Sequence, residues 1–460
     1  MLNFFCKLFK LGCFVVMSAT LASCSTTIAY KARLADSSSS KHIVIFLDGT
    51  HNDEASDTNV KRLHSLVSLQ NRPDIATLYV EGVGTKKDLL GMGMGVGFAA
   101  RVKLAYEFIL DNYNPSSNDK IYIFGFSRGA YAGRALTSLL YNAGLPKWNG
   151  HSNRELADTV YEEVHGLLKD SKQPRREIVI AGLKAKNIQT DKPVGVEVLG
   201  LWDSVGALGN PYWGRRLLHK AKLKTIRVDI DIPNQRHGDQ LCNVRHAYHA
   251  LSIDDDREWV FTPLLLGRKD LFADCLAPPD DDYMLDTHRN IKPGRLQEVW
   301  FSGAHSDVGG GYGDSAISGV SLNWMIGHLS GTLFRERPQV REDWYGSSHD
   351  PESGWFRFMY HAMNRNLGAY VSNDEKHRPE FLGSLCVHES VVARRSAIYP
   401  RSHENKQLAL TKAGRVCLIE DTREGAADPM RLLERQDMGD KCVKEIEVEI
   451  WPNCKGGPTT

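Results

Sequence analysis

The sequence predicts an α/β fold, a mostly parallel sheet with helices on both faces and a C-terminal extension. Three observations carry this. Short β-branched or aromatic runs alternate with stretches of helical spacing, which implies βαβ units. The turn-forming, chemistry-bearing motifs fall just past the ends of strands, where parallel sheets bind ligands. Finally, 460 residues that are 42% hydrophobic and 25% charged supply a sizeable core. That composition excludes a wholly disordered chain, a collagen or a polytopic membrane protein.

Residues 1–23 place Lys7 and Lys10 around and before an apolar stretch, residues 11–21, that is too short for an ordinary transmembrane helix. They read as a signal peptide. The stretch ends in Leu21-Ala22-Ser23-Cys24, which resembles a bacterial lipobox. That resemblance implies cleavage before Cys24 and acylation of its thiol and new amine, for instance by palmitate. More than one acyl chain gives stable membrane anchoring. Ser25 follows the cysteine, which favours the outer membrane, so a bacterial outer-membrane lipoprotein facing the periplasm or the cell surface is expected. Residues 24–41, with serines at 37–40, read as the lipidated cysteine and a flexible tether.

A hydrolase-sized domain is expected over residues 42–330. His42–Leu47 (HIVIFL) reads as a strand ending in Asp48-Gly49-Thr50. Residues 58–69 have helical spacing through Val60, Leu63, Leu66 and Val67. Residues 76–80 read as a strand, 96–112 as a helix, 120–124 as a strand and 130–141 as a helix. Further strands are expected at 177–181, 194–201 and 296–301. Residues 244–253, which carry His246 and His249, read as a helix with both histidines structural or pocket-lining.

Strand 120–124 runs into Gly125-Phe126-Ser127-Arg128-Gly129, the only G-x-S-x-G in the chain. A strand before it and an alanine-rich helix after it are the context of a nucleophile elbow, which makes the fold an α/β-hydrolase type. Ser127 on so sharp a turn needs small neighbours, and Gly125 and Gly129 supply them. The following helix points its amides and dipole at a developing oxyanion. The backbone N–H of Arg128 is expected as one oxyanion donor and that of Gly49 or Thr50 as the second. Asp48 is expected to shape this loop.

In this class the acid and the base follow the serine in the chain. Asp203 stands where strand 194–201 breaks, so it is the expected acid. His305 lies on a glycine-rich loop past strand 296–301, and its ordinary pKa near 6.5 suits proton shuttling. Asp307 is expected to orient the His305 loop, and the run Asp254-Asp255-Asp256 to be a solvated loop, with an alternative acid or a cation ligand as its other readings.

Seven motifs in order then resemble the DUF2235 family, which includes the catalytic domain of Tle1-type phospholipase effectors of type VI secretion. They are FLDGTHND (46–53), GVGT (82–85), FGFSRGAYAGR (124–134), LWDSVGALG (201–209), VRHAYHALSIDDDR (244–257), VWFSGAHSDVGGGY (299–312) and ISGVSLNWMIGHL (317–329). Residues 387–394 also look like the family's late segment. The resemblance implies an α/β-hydrolase fold, ester cleavage, Ser127 as nucleophile, and Asp203 and His305 as its partners. GMGMGVG (91–97) lacks the Lys-Ser/Thr of a phosphate loop and reads as a mobile or lipid-facing loop.

Of nine cysteines, Cys6 and Cys13 leave with the signal and Cys24 is lipidated. Cys242, Cys275, Cys386, Cys417, Cys442 and Cys454 remain. Six cysteines in an oxidising compartment permit three disulfides without fixing which. Residues 331–460, which hold four of them, read as a crosslinked extension or lid. No cysteine or histidine spacing suggests a metal, and no cofactor is expected. Lys+Arg number 57 against 56 Asp+Glu, and the net charge of +1 excludes a dedicated nucleic-acid binder. The expected activity is that of a membrane-anchored serine hydrolase of carboxylic esters, with phospholipid acyl chains as the expected substrate. Two rival readings share the scaffold: binding without turnover, and acyl transfer to an alcohol.

Overall fold

The computed structural model describes residues 30–35, 40–49, 57–82, 97–167, 175–190, 192–206, 239–255, 257, 261, 263–273, 275, 283–286, 290–349, 380–396, 415–420, 430–432 and 444–454. The signal peptide, Cys24, Thr50, Asp256 and residues 91–96 lie outside that set.

The centre of the sheet is β2 (His42–Leu47), β3 (Ile75–Val80), β4 (Lys120–Phe126), β5 (Val196–Trp202), β6 (Val244–Ser252) and β7 (Leu296–Phe301). All run parallel, in the order β3-β2-β4-β5-β6-β7. From Ile43 to Leu47 every residue of β2 is fully buried, as a parallel strand covered on both faces requires. The pleat divides that run between two cores. Ile43, Ile45 and Leu47 pack with α2 (Phe98–Asn112), α3 (Arg128–Asn142), α4 (Asn153–Leu167) and α5 (Arg175–Ala185). Val44 and Phe46 face α1 (Asn59–Leu69) and α7 (Ser318–Gly327) on the other side. Between β7 and α7 lies the short α6 (His305–Gly309).

Local chemistry sets the ends. Thr58 caps α1, its hydroxyl accepting from the Lys61 amide at 3.1 Å, at the boundary the spacing predicts. Helix α2 starts at Phe98 behind Gly97, whose φ of 82° suits glycine.

Four expectations are corrected. Residues 30–33 of the expected tether form β1 (Tyr30–Arg33), antiparallel to β3 with Tyr30 opposite Val80. An edge strand with three exposed residues carries no alternation for a sequence reading to find. The expected strand at 177–181 lies within α5, where Val179 and Leu183, four apart, are the residues that bury. The expected helix at 244–253 is β6. As a central strand it buries both faces, so its pattern lacks the period of two.

The boundary at 330 does not divide the sheet either. Beyond it, β8 (Leu385–His388) pairs in parallel with β7, and β11 (Lys444–Trp451) with β8. Strand β11 continues antiparallel to β9 (Arg415–Glu420), and β9 to β10 (Met430–Leu432). Helix α8 (Glu389–Ser396) follows β8. Disulfides join Cys242 to Cys275 and Cys386 to Cys454. Cys417 lies on β9, and Cys442 is outside the described residues. Among the described residues no helix is long and apolar enough to cross a membrane.

Candidate active site

The carboxyl ends of β4, β5 and β7 bring the expected residues into one region. Phe126 and Trp202 are paired neighbours on β4 and β5, and Ser127 and Asp203 are the next residue on each. Ser127 sits at φ 57°, ψ −125°, a strained conformation for a residue with a side chain. Its N–H donates to Trp202 O at 3.0 Å, and its carbonyl accepts from the Tyr131 N–H at 3.2 Å in the first turn of α3. The glycines do what the elbow requires. A Cβ on Gly129 would stand 2.1 Å from Leu47 O, and one on Gly125 2.6 Å from Ala130 Cα. With this elbow the parallel sheet is that of an α/β-hydrolase.

Asp203 is fully buried and also strained, at φ 39°. One carboxylate oxygen, Oδ1, accepts from the Ser252 N–H at 3.0 Å, and Oδ2 lies 2.5 Å from His305 Nδ1. The imidazole lies between two rings, Phe126 at 4.6 Å and Phe261 at 4.7 Å between centroids. Its Nε2 is buried and has no hydrogen-bond partner among the described residues. Burial holds the His305 pKa below its ordinary value, against the opposing pull of Asp203. A neutral imidazole carrying its proton on Nδ1 therefore has a bare, desolvated Nε2, which is the state of a resting general base.

Two residues of the acidic run, Asp254 and Asp255, are not solvated as expected. Asp255 is fully buried, accepts from the His305 N–H at 3.0 Å and pairs with Arg257 at 2.6 Å. Arg257 in turn lies 3.8 Å over the Phe261 ring. Asp254 accepts from the Gly303 N–H at 2.7 Å. Both side chains thus hold the segment at His305, a role that the charge run hid. His305 does not lie on the expected loop but opens α6, and Asp307, in the first turn of that helix, accepts from the Ala304 N–H before it at 2.9 Å. It also bonds the ring of His349 at 2.6 Å, a partner far away in the sequence.

The oxyanion side departs from expectation at one residue. Arg128 opens α3 directly behind Ser127, as an oxyanion donor should. Gly49 does not serve: its N–H is donated to the Asp48 carboxylate at 2.6 Å. Asp48 is fully buried at the end of β2 and also accepts from the Thr58 hydroxyl at 2.6 Å and the Tyr79 hydroxyl at 2.7 Å. Burial raises its pKa against those bonds. The buried Arg101 guanidinium donates to the Asp48 carbonyl, and burial lowers its pKa to about 10. Asp48 thus shapes this loop, as expected.

His246 and His249 lie on β6, where His249 is fully buried. His246 contacts the Arg295 side chain, with 2.9 Å between its Nε2 and Nη1. Among the described residues no three His, Cys, Asp or Glu side chains group as metal ligands would.

A family model described as "T6SS, Phospholipase effector Tle1-like, catalytic domain" matches residues 41–328 of the chain. Among curated proteins, the chain is similar to the uncharacterized protein YEL023C of Saccharomyces cerevisiae. The two are 25% identical over 251 residues, which cover 50% of this chain and 34% of the yeast protein. Among solved structures, an uncharacterized protein from Pseudomonas aeruginosa shares 16% identity over 63% of this chain and 45% of its own, with a TM-score of 0.36. The Tle1 effector bound to the VgrG spike shares 18% over 63% and 54%, with a TM-score of 0.25. A propionate-bound esterase of Thermogutta terrifontis shares 11% over 67% and 90%, with a TM-score of 0.33. The chain thus spans about a third of the yeast protein's length and less than half of the Pseudomonas chain's.

Proposed function

The chain belongs to the Tle1-like phospholipase effector catalytic-domain family, and from that premise we propose that it is a serine hydrolase of lipid acyl esters. The observation that carries the reading is the 2.5 Å contact between His305 Nδ1 and Asp203 Oδ2, beside an elbow serine on the neighbouring strand end. In this mechanism Ser127 Oγ attacks the ester carbonyl while His305 Nε2 takes its proton. The imidazolium then protonates the leaving alcohol, and water repeats the cycle in reverse to free the acid. Asp203 keeps the imidazole proton on Nδ1 and stabilises the imidazolium. The Arg128 N–H and the α3 dipole stabilise the oxyanion. Its second donor is assigned to Thr50.

The membrane reading is part of the proposal. Cys24 of the lipobox-like segment is taken as the acylated anchor, in a bacterial outer membrane. Supporting it is the path of the chain: Tyr30 pairs with Val80 at the carboxyl end of β3, the end of the sheet that carries Ser127. Six residues of chain span at most about 20 Å, so an anchor at Cys24 keeps the catalytic end close to the bilayer.

The test uses the purified chain without its lipid, offered p-nitrophenyl esters and mixed-chain phospholipids, beside Ser127→Ala. Fatty acid release that vanishes in Ser127→Ala is the expected result. Folded protein that turns over no ester sinks the hydrolase reading, and acyl transfer to an added alcohol in place of hydrolysis redefines it. Palmitate labelling in the producing cell, lost in Cys24→Ala, tests the anchor separately.

A further inference from the structure

A second histidine–carboxylate pair lies across β6 and β7, next to the strand that leads into Asp203. His249 on β6 is paired with Leu201 on β5 and with Glu298 on β7. Its ring is fully buried, and Nδ1 lies 2.9 Å from Glu298 Oε1. Its Nε2 accepts from the N–H of Ser204, at 3.0 Å. Ser204 is the residue after Asp203.

The directions of these bonds fix the protons. A backbone N–H only donates, so His249 Nε2 is bare and the single proton of the neutral ring is on Nδ1. Glu298 must then accept from it. The same carboxylate accepts from the Leu266 N–H at 2.7 Å and the Gly267 N–H at 2.8 Å, so both its oxygens face donors only. Three amides and one ring thereby form a closed network with every donor matched to an acceptor.

An apolar pair would fill the same space without the desolvation that a buried histidine and carboxylate incur. What the polar pair adds is a directional hold on one peptide. Asp203 sits at φ 39°, where side chains are strained, and such a conformation persists only when its surroundings over-determine it. The Asp203 N–H is held by Ala250 O at 2.8 Å and Oδ1 by the Ser252 N–H at 3.0 Å. The peptide that follows, Asp203–Ser204, is held by His249 through its N–H, and the carbonyl of the next peptide, that of Ser204, accepts from the Leu264 N–H at 2.8 Å.

We propose that His249, oriented by Glu298, is a positioning residue for the acid of the triad. Its bare Nε2 fixes the Asp203–Ser204 peptide and, through it, the aim of the Asp203 carboxylate at His305. The proposal rests on the reading of Asp203 as that acid. His249 touches no reacting atom. It acts by denying Asp203 the rotation that would lengthen its bond to the imidazole.

The experiment compares the full chain with His249→Leu, His249→Gln and Ser127→Ala. It reads kcat and KM on a p-nitrophenyl ester, the downfield proton resonance of His305 Nδ1–H, and the nitrogen-15 shifts of His249. In the parent chain His249 is expected to carry its proton on Nδ1. His249→Leu is expected to lose roughly 10- to 100-fold in kcat, as small misplacements at a reacting centre do, with KM within about twofold. Its His305 proton signal should shift or vanish. His249→Gln can accept from Ser204 with its amide oxygen and donate to Glu298 with its amide nitrogen, so most of kcat and the proton signal should return.

A parent His249 protonated on Nε2 overturns the proposal, as does a folded His249→Leu with parental kcat or an unshifted His305 signal. Should His249→Leu not fold, Glu298→Gln reads the same network, because its amide NH2 must face a backbone N–H. A lowered kcat at constant KM supports the proposal, and an unchanged kcat overturns it. Absence of any Ser127-dependent turnover would count against the hydrolase reading alone. The two resonance measurements would still decide whether His249 holds the Asp203 turn.

Discussion

His305 Nδ1 lies 2.5 Å from Asp203 Oδ2, while the other nitrogen of the same ring is buried with no hydrogen-bond partner among the described residues. One side of the imidazole is committed to a carboxylate and the other is buried. Asp203→Asn should therefore leave the fold in place, because Asn tolerates the left-handed backbone that Asp203 adopts. It would present an NH2 or a non-ionised oxygen to Nδ1 and favour the wrong tautomer. A fall in kcat on the order of 10⁴-fold is expected, measured against the parent chain on one ester.

The same ring sets the acid side of the pH profile. Turnover needs His305 neutral, and burial lowers its pKa from the ordinary 6.5. As pH falls, activity should persist below 6.5 and be lost only as the ring is protonated. A kcat/KM profile whose acid limb has its midpoint above 6.5 would contradict this.

Ser127 holds its strained φ of 57° at the expense of stability. Ser127→Gly and Ser127→Ala should both abolish turnover, but only glycine relieves the backbone. Ser127→Gly is expected to be more stable than Ser127→Ala by about 1–2 kcal/mol, read by denaturant unfolding. Equal stabilities would show that the elbow stores no strain.

Close approach at the elbow makes a sharper test. A Cβ at Gly129 would fall 2.1 Å from Leu47 O and 2.5 Å from Asp48 O, and backbone on both sides has no room to yield. Gly129→Ala should cost about 3 kcal/mol or more, or fail to fold. Gly313, whose added Cβ meets nothing within 4 Å, is the control. Gly313→Ala should change stability by less than about 0.5 kcal/mol.

Stability should decline on acidification between pH 6.5 and about 4. Burial lowers the pKa of His64, His328 and His388 to about 4 each. Below 6.5 the unfolded chain binds these protons and the folded chain does not, so each histidine removes up to about 1.4 kcal/mol per pH unit. His349 works in the opposite sense. Its bond to Asp307 raises its pKa, so its contribution is present below 6.5 and is lost as pH rises through the raised value. His349→Gln should thus weaken the fold more at pH 6 than at pH 9, while His388→Phe should flatten the acid decline. Unfolding curves at four pH values check both.

The legible parts of this molecule were those where local chemistry and global fold agree. Gly125 and Gly129 announce an elbow around Ser127 because a Cβ at either would run into backbone. HIVIFL announces a strand because both of its faces bury. The meeting of Asp203 and His305 was legible from their places past strands 196–202 and 296–301. Strand β6 was not, since burial on two faces erases the period that separates strand from helix, and two histidines three apart imitate a helical face. The roles of Asp255, Glu298 and His349 depend on partners 50, 49 and 42 residues away, which spacing does not reveal. Asp255 left one trace, an arginine two residues on in the same acidic run. The sequence does not choose between Gly49 and Thr50, because an amide at a strand end looks available until its own neighbour's carboxylate claims it, as Asp48 claims that of Gly49.

The strand order has a consequence in time. Ser127, Asp203 and His305 all lie on or just after the run β2–β7, whose members are neighbours of one another and are made in one stretch of synthesis. Strand β11 takes its place between β8 and β9, and Cys454 closes onto Cys386 only after β11 has emerged. A growing chain can thus assemble its chemistry first and its covalent fastening later. Between those moments β8 presents an open edge to its surroundings, and a chain halted there would be the form most prone to pair with another.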